Sequence, residues 1–161
     1  MTTIAASIEH GCMAADTRVS IEGAAYYNAP KLFRVGESIF GTAGDGMMCL
    51  VMIEWFKGKR IRKELYENWT EHTERGACWI LELNHGGIFV WDGWGVQEPI
   101  LNRRYAIGSG QIAALRGMDL GQSPEDAVKA APDYDQYSGA PVQVEYLLPP
   151  ELARKARRKR G

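Results

Sequence analysis

The chain has 161 residues, of which 45% are hydrophobic, 10% aromatic and 24% charged, a composition typical of a folded globular protein rather than a disordered or fibrous one. A domain of this size buries roughly 70% of its unfolded surface, so neither a disulfide nor a structural metal is required, and residues 1–150 are predicted to form one domain. The formal net charge of −1 gives no electrostatic argument for a nucleic acid or a membrane surface as a partner.

A basic run at the end of the chain departs from this balanced charge: Arg154–Arg160 read RKARRKR. Such a run could bind an acidic partner, but charged chain ends are most often solvated. Residues 151–161 are therefore predicted to be a disordered basic tail, and nucleic acid is not expected as a partner.

The cysteines and the chain start indicate a cellular compartment. Cys12, Cys49 and Cys78 are an odd number without CxxC spacing, and the opening MTTIAASIEHG lacks a charged segment followed by an apolar one. The longest apolar run, around Met47–Ile53, is far shorter than the roughly 20 residues of a membrane span. These features predict a cytoplasmic protein without a membrane segment.

Four short strands are predicted before the first helix. Residues 2–8 and 13–21 flank a turn at Gly11, and residues 31–35 and 38–43 flank a Gly-Glu turn. Both pairs have the β-favouring residues and the turn signals of antiparallel hairpins.

The middle of the chain combines a helix with another hairpin. After GTAGDG at 41–46, the apolar residues of MMCLVMIEWFKGK recur at helical spacing and predict a buried helix. The charged stretch 57–75 predicts a short, irregular second helix. Trp79–Leu83 and Ile88–Trp91 flank Asn-His-Gly-Gly, which predicts a hairpin.

The last third of the chain predicts a strand at Tyr105–Ile107, helices at Gln111–Leu120 and Ser123–Ala131, and a final strand at Val142–Leu147. The second of these helices begins with a Ser-Pro cap followed by two acidic residues. Because strands and helices cluster rather than alternate, the pattern favours an α+β protein with antiparallel sheets over a doubly wound parallel sheet.

Several kinds of site are excluded by spacing. GTAGDG lacks the GK[ST] ending of a P-loop and the third glycine of a dinucleotide fingerprint, so no nucleotide site is predicted. His10, His72 and His85 have no ligand-like spacing, so neither a metal nor a cofactor is expected in this chain. GSG at 108–110 is not GxSxG, so Ser109 is not predicted to be a nucleophile.

Thr2, directly after Met1, has chemical potential of its own. A hydroxyl nucleophile needs an adjacent base, and an N-terminal threonine carries one as its α-amine. The pKa of such an amine is about 7.7–8.0, and a nearby ammonium group, itself paired with a carboxylate, would lower it. A threonine in second position is nevertheless common, and on its own it has an ordinary structural explanation.

Four segments carry a family resemblance: TTIAASIEHGCMAADTRVS, KLFRVG with IFGTAGDG, YAIGSGQIAALRG and YDQYSGAPVQVEYL. Together they resemble the proteasome β-subunit and HslV peptidase family over nearly the whole chain. The resemblance implies a four-layer αββα sandwich, the N-terminal nucleophile hydrolase fold, whose subunits stack into a homo-oligomeric ring. It further implies a threonine-type endopeptidase that acts on unfolded proteins or peptides, with ATP required only by a partner unfoldase.

The same resemblance assigns site residues. Thr2, after removal of Met1, matches the nucleophile, Lys31 matches the catalytic lysine, and Asp16 matches the acid that pairs with it. Gly44 matches the glycine whose N–H forms the oxyanion hole. Three further residues match groups that support the N-terminal amine: Ser109, Asp135 and Ser138.

Two departures from the family pattern accompany the resemblance. The stretch before Trp79 is shorter than in the family, where two long helices lie, and Pro132 interrupts a helix that the family continues toward Asp135. Two alternative functions remain open for the same fold. One is a catalytically inactive, ring-forming scaffold, and the other is a small-molecule amidase that uses Thr2.

Overall fold

The structure is a computed structural model that describes residues 2–21, 24–26, 28–59 and 78–149. Most of the predicted second helix (57–75) and the predicted basic tail (151–161) lie outside these ranges. The strands of the described ranges all pair antiparallel: β1 (Thr3–Ser7), β2 (Cys12–Asp16), β3 (Val19–Ile21), β4 (Ala24–Tyr26), β5 (Leu32–Val35), β6 (Ser38–Gly44), β7 (Cys78–Asn84), β8 (Gly87–Asp92), β9 (Gln97–Ile100), β10 (Arg104–Gly108) and β11 (Val142–Tyr146). The helices of these ranges are α1 (Gly46–Phe56), α2 (Gln111–Asp119) and α3 (Pro124–Ala130), with a 3-10 turn at Ala131–Asp133.

These strands form two large sheets and one small hairpin. Sheet 1 has the order β10-β1-β2-β11, sheet 2 has the order β5-β6-β7-β8-β9, and β3 pairs only with β4. In sheet 1 the first strand lies between β10 and β2, because Thr3 pairs with Gly108 and Ile4 pairs with Ala15. The start of the chain is therefore held in the middle of a sheet.

The two sheets bury a common apolar core. Side chains alternate between the faces of a strand, so Ile4, Ala6, Met13 and Ala15 all point from sheet 1 toward sheet 2. The inner face of sheet 2 contributes aliphatic residues to the same core: Ile39, Ala43, Leu81, Leu83, Ile88 and Val90. Gly41 allows the sheets to approach closely, because a Cβ there would lie 2.7 Å from Ile4 Cγ2 and 2.8 Å from Met13 Sδ.

The outer face of each sheet is covered by helices. Ala5 and Ala14 of sheet 1 pack against α2 and α3, whereas Phe40 and Ile80 of sheet 2 pack against α1. The layers therefore follow the order helix, sheet, sheet, helix. This arrangement confirms the α+β class and the predicted four-layer αββα sandwich with two antiparallel sheets.

Two helix starts have side-chain caps, of which the sequence indicated the one at Ser123. Asp45 Oδ1 accepts from the backbone N–H of Met48 over 2.9 Å, and Ser123 Oγ accepts from that of Asp126 over 3.1 Å. Each cap satisfies one of the unpaired N–H groups of a first turn. The cap at Asp45 fixes the point at which β6 ends and α1 begins.

The strand predictions were incomplete in three respects. Strand β4, of only three residues, was not predicted. The predicted strand 13–21 is divided into β2 and β3, because Asp16 Oδ2 accepts from the N–H of Arg18 and the N–H of Thr17 donates to the carbonyl of Pro141. Strand β9 was not predicted, since its sequence, QEPI, contains a proline that only an edge strand accommodates. Within the described ranges, no helix has both the length and the hydropathy that a membrane crossing demands.

Candidate active site

The candidate site lies where β1 begins and β2 ends. Antiparallel pairing places the first residue of one strand beside the last residue of the other, so Thr3 lies next to Asp16. The backbone N–H of Thr3 donates to Asp16 Oδ1 over 2.8 Å. Thr2, directly before β1, is itself buried.

Lys31 joins this corner from the other sheet. Its Nζ donates to Asp16 Oδ1 over 2.9 Å and to the carbonyl of Arg18 over 2.6 Å. Asp16 is 0% exposed and Lys31 is 5% exposed, so the pair is removed from water. Burial lowers the pKa of Lys31 below its ordinary value, and the charge and hydrogen bond of Asp16 oppose that shift.

The backbone around Lys31 is fixed on both sides. Its N–H donates to Gln143 Oε1 over 2.8 Å, and its carbonyl accepts from the N–H of Thr42 over 3.0 Å. Thr42 belongs to β6, which ends at Gly44. The lysine is thus held between the final strand of sheet 1 and the strand that leads into α1.

Asp16 is the centre of this half of the site. Its Oδ1 accepts from Thr3 and Lys31, and its Oδ2 accepts from the N–H groups of Arg18 and Gly139, each over 3.2 Å. A carboxylate that receives four donors is held in a single orientation. The Gly139 contact links it to the segment that carries the second acidic residue of the site.

Asp135 forms the second half of the site with two serines. Its Oδ2 accepts from Ser109 Oγ over 2.7 Å and from Ser138 Oγ over 2.6 Å. Burial acts to raise the pKa of Asp135, but the hydrogen bonds from Ser138, Ser109 and the N–H of Tyr137 outweigh it and hold the pKa below its ordinary value. Ser109 Oγ also lies 3.4 Å from the carbonyl oxygen of Thr2.

Pro132 does not keep Asp135 away from this cluster. The chain makes a 3-10 turn at Ala131–Asp133, and the N–H of Asp135 donates to the carbonyl of Ala131 over 2.8 Å. That bond brings the carboxylate back toward the start of α2. The shortened helix therefore still presents its acid to Ser109.

Thr3 belongs to the same network but was not among the sequence-based candidates. Its hydroxyl contacts Ser138 Oγ, so its backbone reaches Asp16 and its side chain reaches the Asp135 group. Because Ser138 donates to Asp135, its oxygen accepts from the Thr3 hydroxyl. One signal for this role was present in the sequence, which is that Thr3 is a polar residue on the helix-facing side of β1. Its partner, Ser138, lies 135 residues away in the sequence.

Gly44 stands apart from these contacts. It lies at the end of β6 with φ of 113°, immediately before the Asp45 cap of α1. Among the described residues, neither Asp16 nor Asp135 shows a hydrogen bond to Gly44. Its exposed backbone nevertheless lies two residues beyond Thr42, which is bonded to Lys31.

A pocket of about 560 Å³ adjoins the second half of the site. Ser109 and Asp135 form part of its wall, and Ile112, Leu120 and Tyr134 supply apolar surface. Thr2 does not line the pocket. The pocket therefore opens beside α2 onto Ser109 and Asp135, and not onto the candidate nucleophile. Among the described residues, no cluster of three or more His, Cys, Asp or Glu side chains has the geometry of a metal site.

Comparison with known proteins establishes the fold. Neither a protein-family model nor a curated protein matches the sequence significantly. Among solved structures, BPH from Thiobacillus denitrificans, determined alone and in complex with epoxomicin, is similar with a TM-score of 0.70 and 24% identity, over 92% of this chain and 100% of that one. Eukaryotic HslV from Trypanosoma brucei is similar with a TM-score of 0.67 and 20% identity, over 89% of this chain and 98% of that one. The chain has the fold of HslV and proteasome-like proteins, as the sequence motifs implied.

Proposed function

We propose that this chain is a threonine-type endopeptidase subunit of a self-compartmentalising, proteasome-like protease, with Thr2 as its nucleophile after removal of Met1. The observation that carries the proposal is the buried Lys31–Asp16 pair at the chain start. Asp16 Oδ1 accepts both from Lys31 Nζ and from the N–H of Thr3, the residue that follows the proposed nucleophile. The ion pair is thereby fixed to the backbone that carries Thr2.

In the proposed reaction, Thr2 Oγ attacks a peptide carbonyl and the Thr2 amine accepts the hydroxyl proton. The oxyanion that forms is stabilised by the N–H of Gly44. Collapse of this intermediate transfers the proton from the amine to the leaving nitrogen and leaves an ester on Thr2. The same amine then takes a proton from water, which attacks the ester; the bond between Thr2 Oγ and the acyl carbon breaks, the amine returns the proton to Oγ, and the carboxylic product leaves.

Lys31 and Asp16 are proposed to supply the electrostatics of the first step. An ammonium group close to the Thr2 amine disfavours a second positive charge, so it lowers the pKa of the amine from its ordinary value of about 7.7–8.0. Asp16 keeps Lys31 oriented through the 2.9 Å contact. Asp135, with Ser109 and Ser138, is proposed to orient the amine itself.

Removal of Met1 is required by geometry. A retained methionine would move the free amine by one residue, about 3.8 Å between consecutive Cα atoms. The base would then no longer belong to the residue that carries the hydroxyl. Processing of the chain start is therefore part of the proposed mechanism.

The proposal is tested with fluorogenic peptides and the variants Thr2→Ala and Thr2→Ser. Thr2→Ser retains a hydroxyl and an α-amine, so we expect measurable hydrolysis, whereas Thr2→Ala should lose it by a factor of at least roughly 10³. Circular dichroism of both variants controls for folding. Equal activity of Thr2→Ala and the unchanged protein would refute the assignment of the nucleophile.

The proposed assembly is a homo-oligomeric ring that an ATP-dependent unfoldase supplies with unfolded substrates, as the relation in fold to HslV suggests. Light scattering, combined with the peptidase assay, separates the proposed function from the two alternatives. A ring with peptidase activity supports the proposal, a ring without activity supports the scaffold, and an active monomer supports the amidase. Because BPH was solved in complex with epoxomicin, that compound is the first inhibitor to test against this chain.

A further inference from the structure

Two buried thiols face each other in the layer between α1 and sheet 2. Cys49 lies in the first turns of α1 and Cys78 is the first residue of β7, and their sulfur atoms are 3.3 Å apart. Cys49 is 4% exposed and Cys78 is 0% exposed. Since a disulfide bond is about 2.0 Å long, the sulfurs need to approach by only about 1.3 Å to be joined.

The backbone on each side holds the thiols in this position. The N–H of Cys49 donates to the carbonyl of Asp45 over 3.0 Å, as part of the helix, and Cys78 is paired with Gly44 in sheet 2. Cys49 Sγ also lies 3.6 Å from the carbonyl of Ala43. The pair thus lies directly behind the junction of β6 and α1.

The two sulfurs differ in their tendency to ionise. The thiol hydrogen bond from Cys78 lowers the pKa of Cys49 despite its burial, whereas the same hydrogen bond and burial raise the pKa of Cys78. A thiolate is the nucleophile toward an oxidant, and Cys49 is also the less buried of the two, so it is the sulfur that an oxidant reaches first. Cys78 then lies within reach as the resolving thiol.

We propose that Cys49 and Cys78 form an oxidisable dithiol that a peroxide converts into an intramolecular disulfide. The Cys49 thiolate attacks one oxygen of hydrogen peroxide, which breaks the O–O bond and gives a sulfenic acid and hydroxide. The Cys78 sulfur then attacks the Cys49 sulfur, the S–O bond breaks, and water leaves with the Cys78 proton. Two electrons pass from the thiols to the peroxide, and the proposal is independent of the function of Thr2.

The chain contains a matched control in its third cysteine. Cys12 is buried in β2 of sheet 1, and burial, assisted by the charge of Glu125, raises its pKa to about 11. It is therefore a buried thiol with little thiolate character and, unlike Cys49, it shows no hydrogen bond to another cysteine in the described chain. The variant Cys12→Ser should leave the oxidation of the pair unchanged.

The test is mass spectrometry of the folded protein after treatment with hydrogen peroxide, with free thiols alkylated under denaturing conditions. The unchanged protein and Cys12→Ser should both lose two hydrogen masses and two alkylation sites, and digestion should yield one peptide pair joined through Cys49 and Cys78. Cys78→Ser should instead give a Cys49 sulfenic acid that dimedone traps. A cross-link that involves Cys12, or two free thiols at Cys49 and Cys78 after Cys12 has been oxidised, would overturn the proposal.

Discussion

Lys31 Nζ lies 2.9 Å from Asp16 Oδ1, and both side chains are buried where the chain begins. Two charges removed from water are tolerated only when each compensates the other, and loss of one partner leaves the second charge uncompensated. The contact joins the two sheets, because Asp16 ends β2 of sheet 1 and Lys31 precedes β5 of sheet 2.

The first prediction concerns Asp16→Asn. The change preserves the shape of the side chain but removes the negative charge that lies 2.9 Å from buried Lys31 Nζ, so the free energy of unfolding should fall by roughly 3–5 kcal/mol. Urea denaturation measures the loss. Glu125→Gln breaks the exposed pair with Lys129 and should lower the free energy of unfolding far less. Similar losses in the two variants would contradict the importance of the buried pair.

The second prediction concerns the close approach of the sheets at Gly41. Gly41→Ala should lower the free energy of unfolding by about 1–3 kcal/mol, because its Cβ would press on Ile4 and Met13. Gly46→Ala is the control, since no atom lies within 4 Å of a Cβ at that position of α1. Thermal unfolding of the two variants compares them, and an unaffected Gly41→Ala would argue against the described sheet packing.

The third prediction is a pH dependence of stability through Asp135. Its pKa is lower in the folded protein than in the unfolded chain, so its contribution is complete above the unfolded value of about 3.9 and is lost as the pH falls through the folded value. Urea midpoints at about pH 5.5 and about pH 3 should therefore differ more for the unchanged protein than for Asp135→Asn. Equal differences in the urea midpoint for the two proteins would show that the Asp135 carboxylate does not contribute to the pH dependence of stability.

The fourth prediction concerns Thr3 and rests on the proposed function. Thr3→Val has a similar shape but lacks the hydroxyl that contacts Ser138, whereas Thr3→Ser retains it. If this hydroxyl helps to position the Asp135 group, Thr3→Val should lower kcat by roughly tenfold, about 1.4 kcal/mol, with little change in KM. Thr3→Ser should keep most of the activity. A uniform loss in both variants would indicate a packing role only.

Local signals were sufficient for most of the architecture. The Gly-Glu and Asn-His-Gly-Gly turns predicted the β5–β6 and β7–β8 hairpins, and the Ser123-Pro124 cap predicted the start of α3. Strand β9 was missed because its sequence, QEPI, contains a proline and has no alternation of apolar residues. The division between β2 and β3 was missed because it depends on hydrogen bonds to Asp16 and to distant Pro141.

The candidate site shows the limit of such signals. No local pattern reports that Lys31 binds Gln143, 112 residues away, or that Thr3 meets Ser138. The family resemblance supplied the candidate residues, and the antiparallel order of sheet 1 explains why residues from both ends of the chain converge. The thiol pair of Cys49 and Cys78 had no sequence signal, since 29 residues separate its members.

The central claim is that a processed Thr2 is the reactive nucleophile. It is tested most directly by incubating the protein with a peptide vinyl sulfone, then measuring the intact mass and locating the label by fragmentation. We expect a chain without Met1 that carries one inhibitor on Thr2, and no label on Thr2→Ala. A folded, processed chain that stays unlabelled at Thr2, or a chain that retains Met1, would contradict the claim.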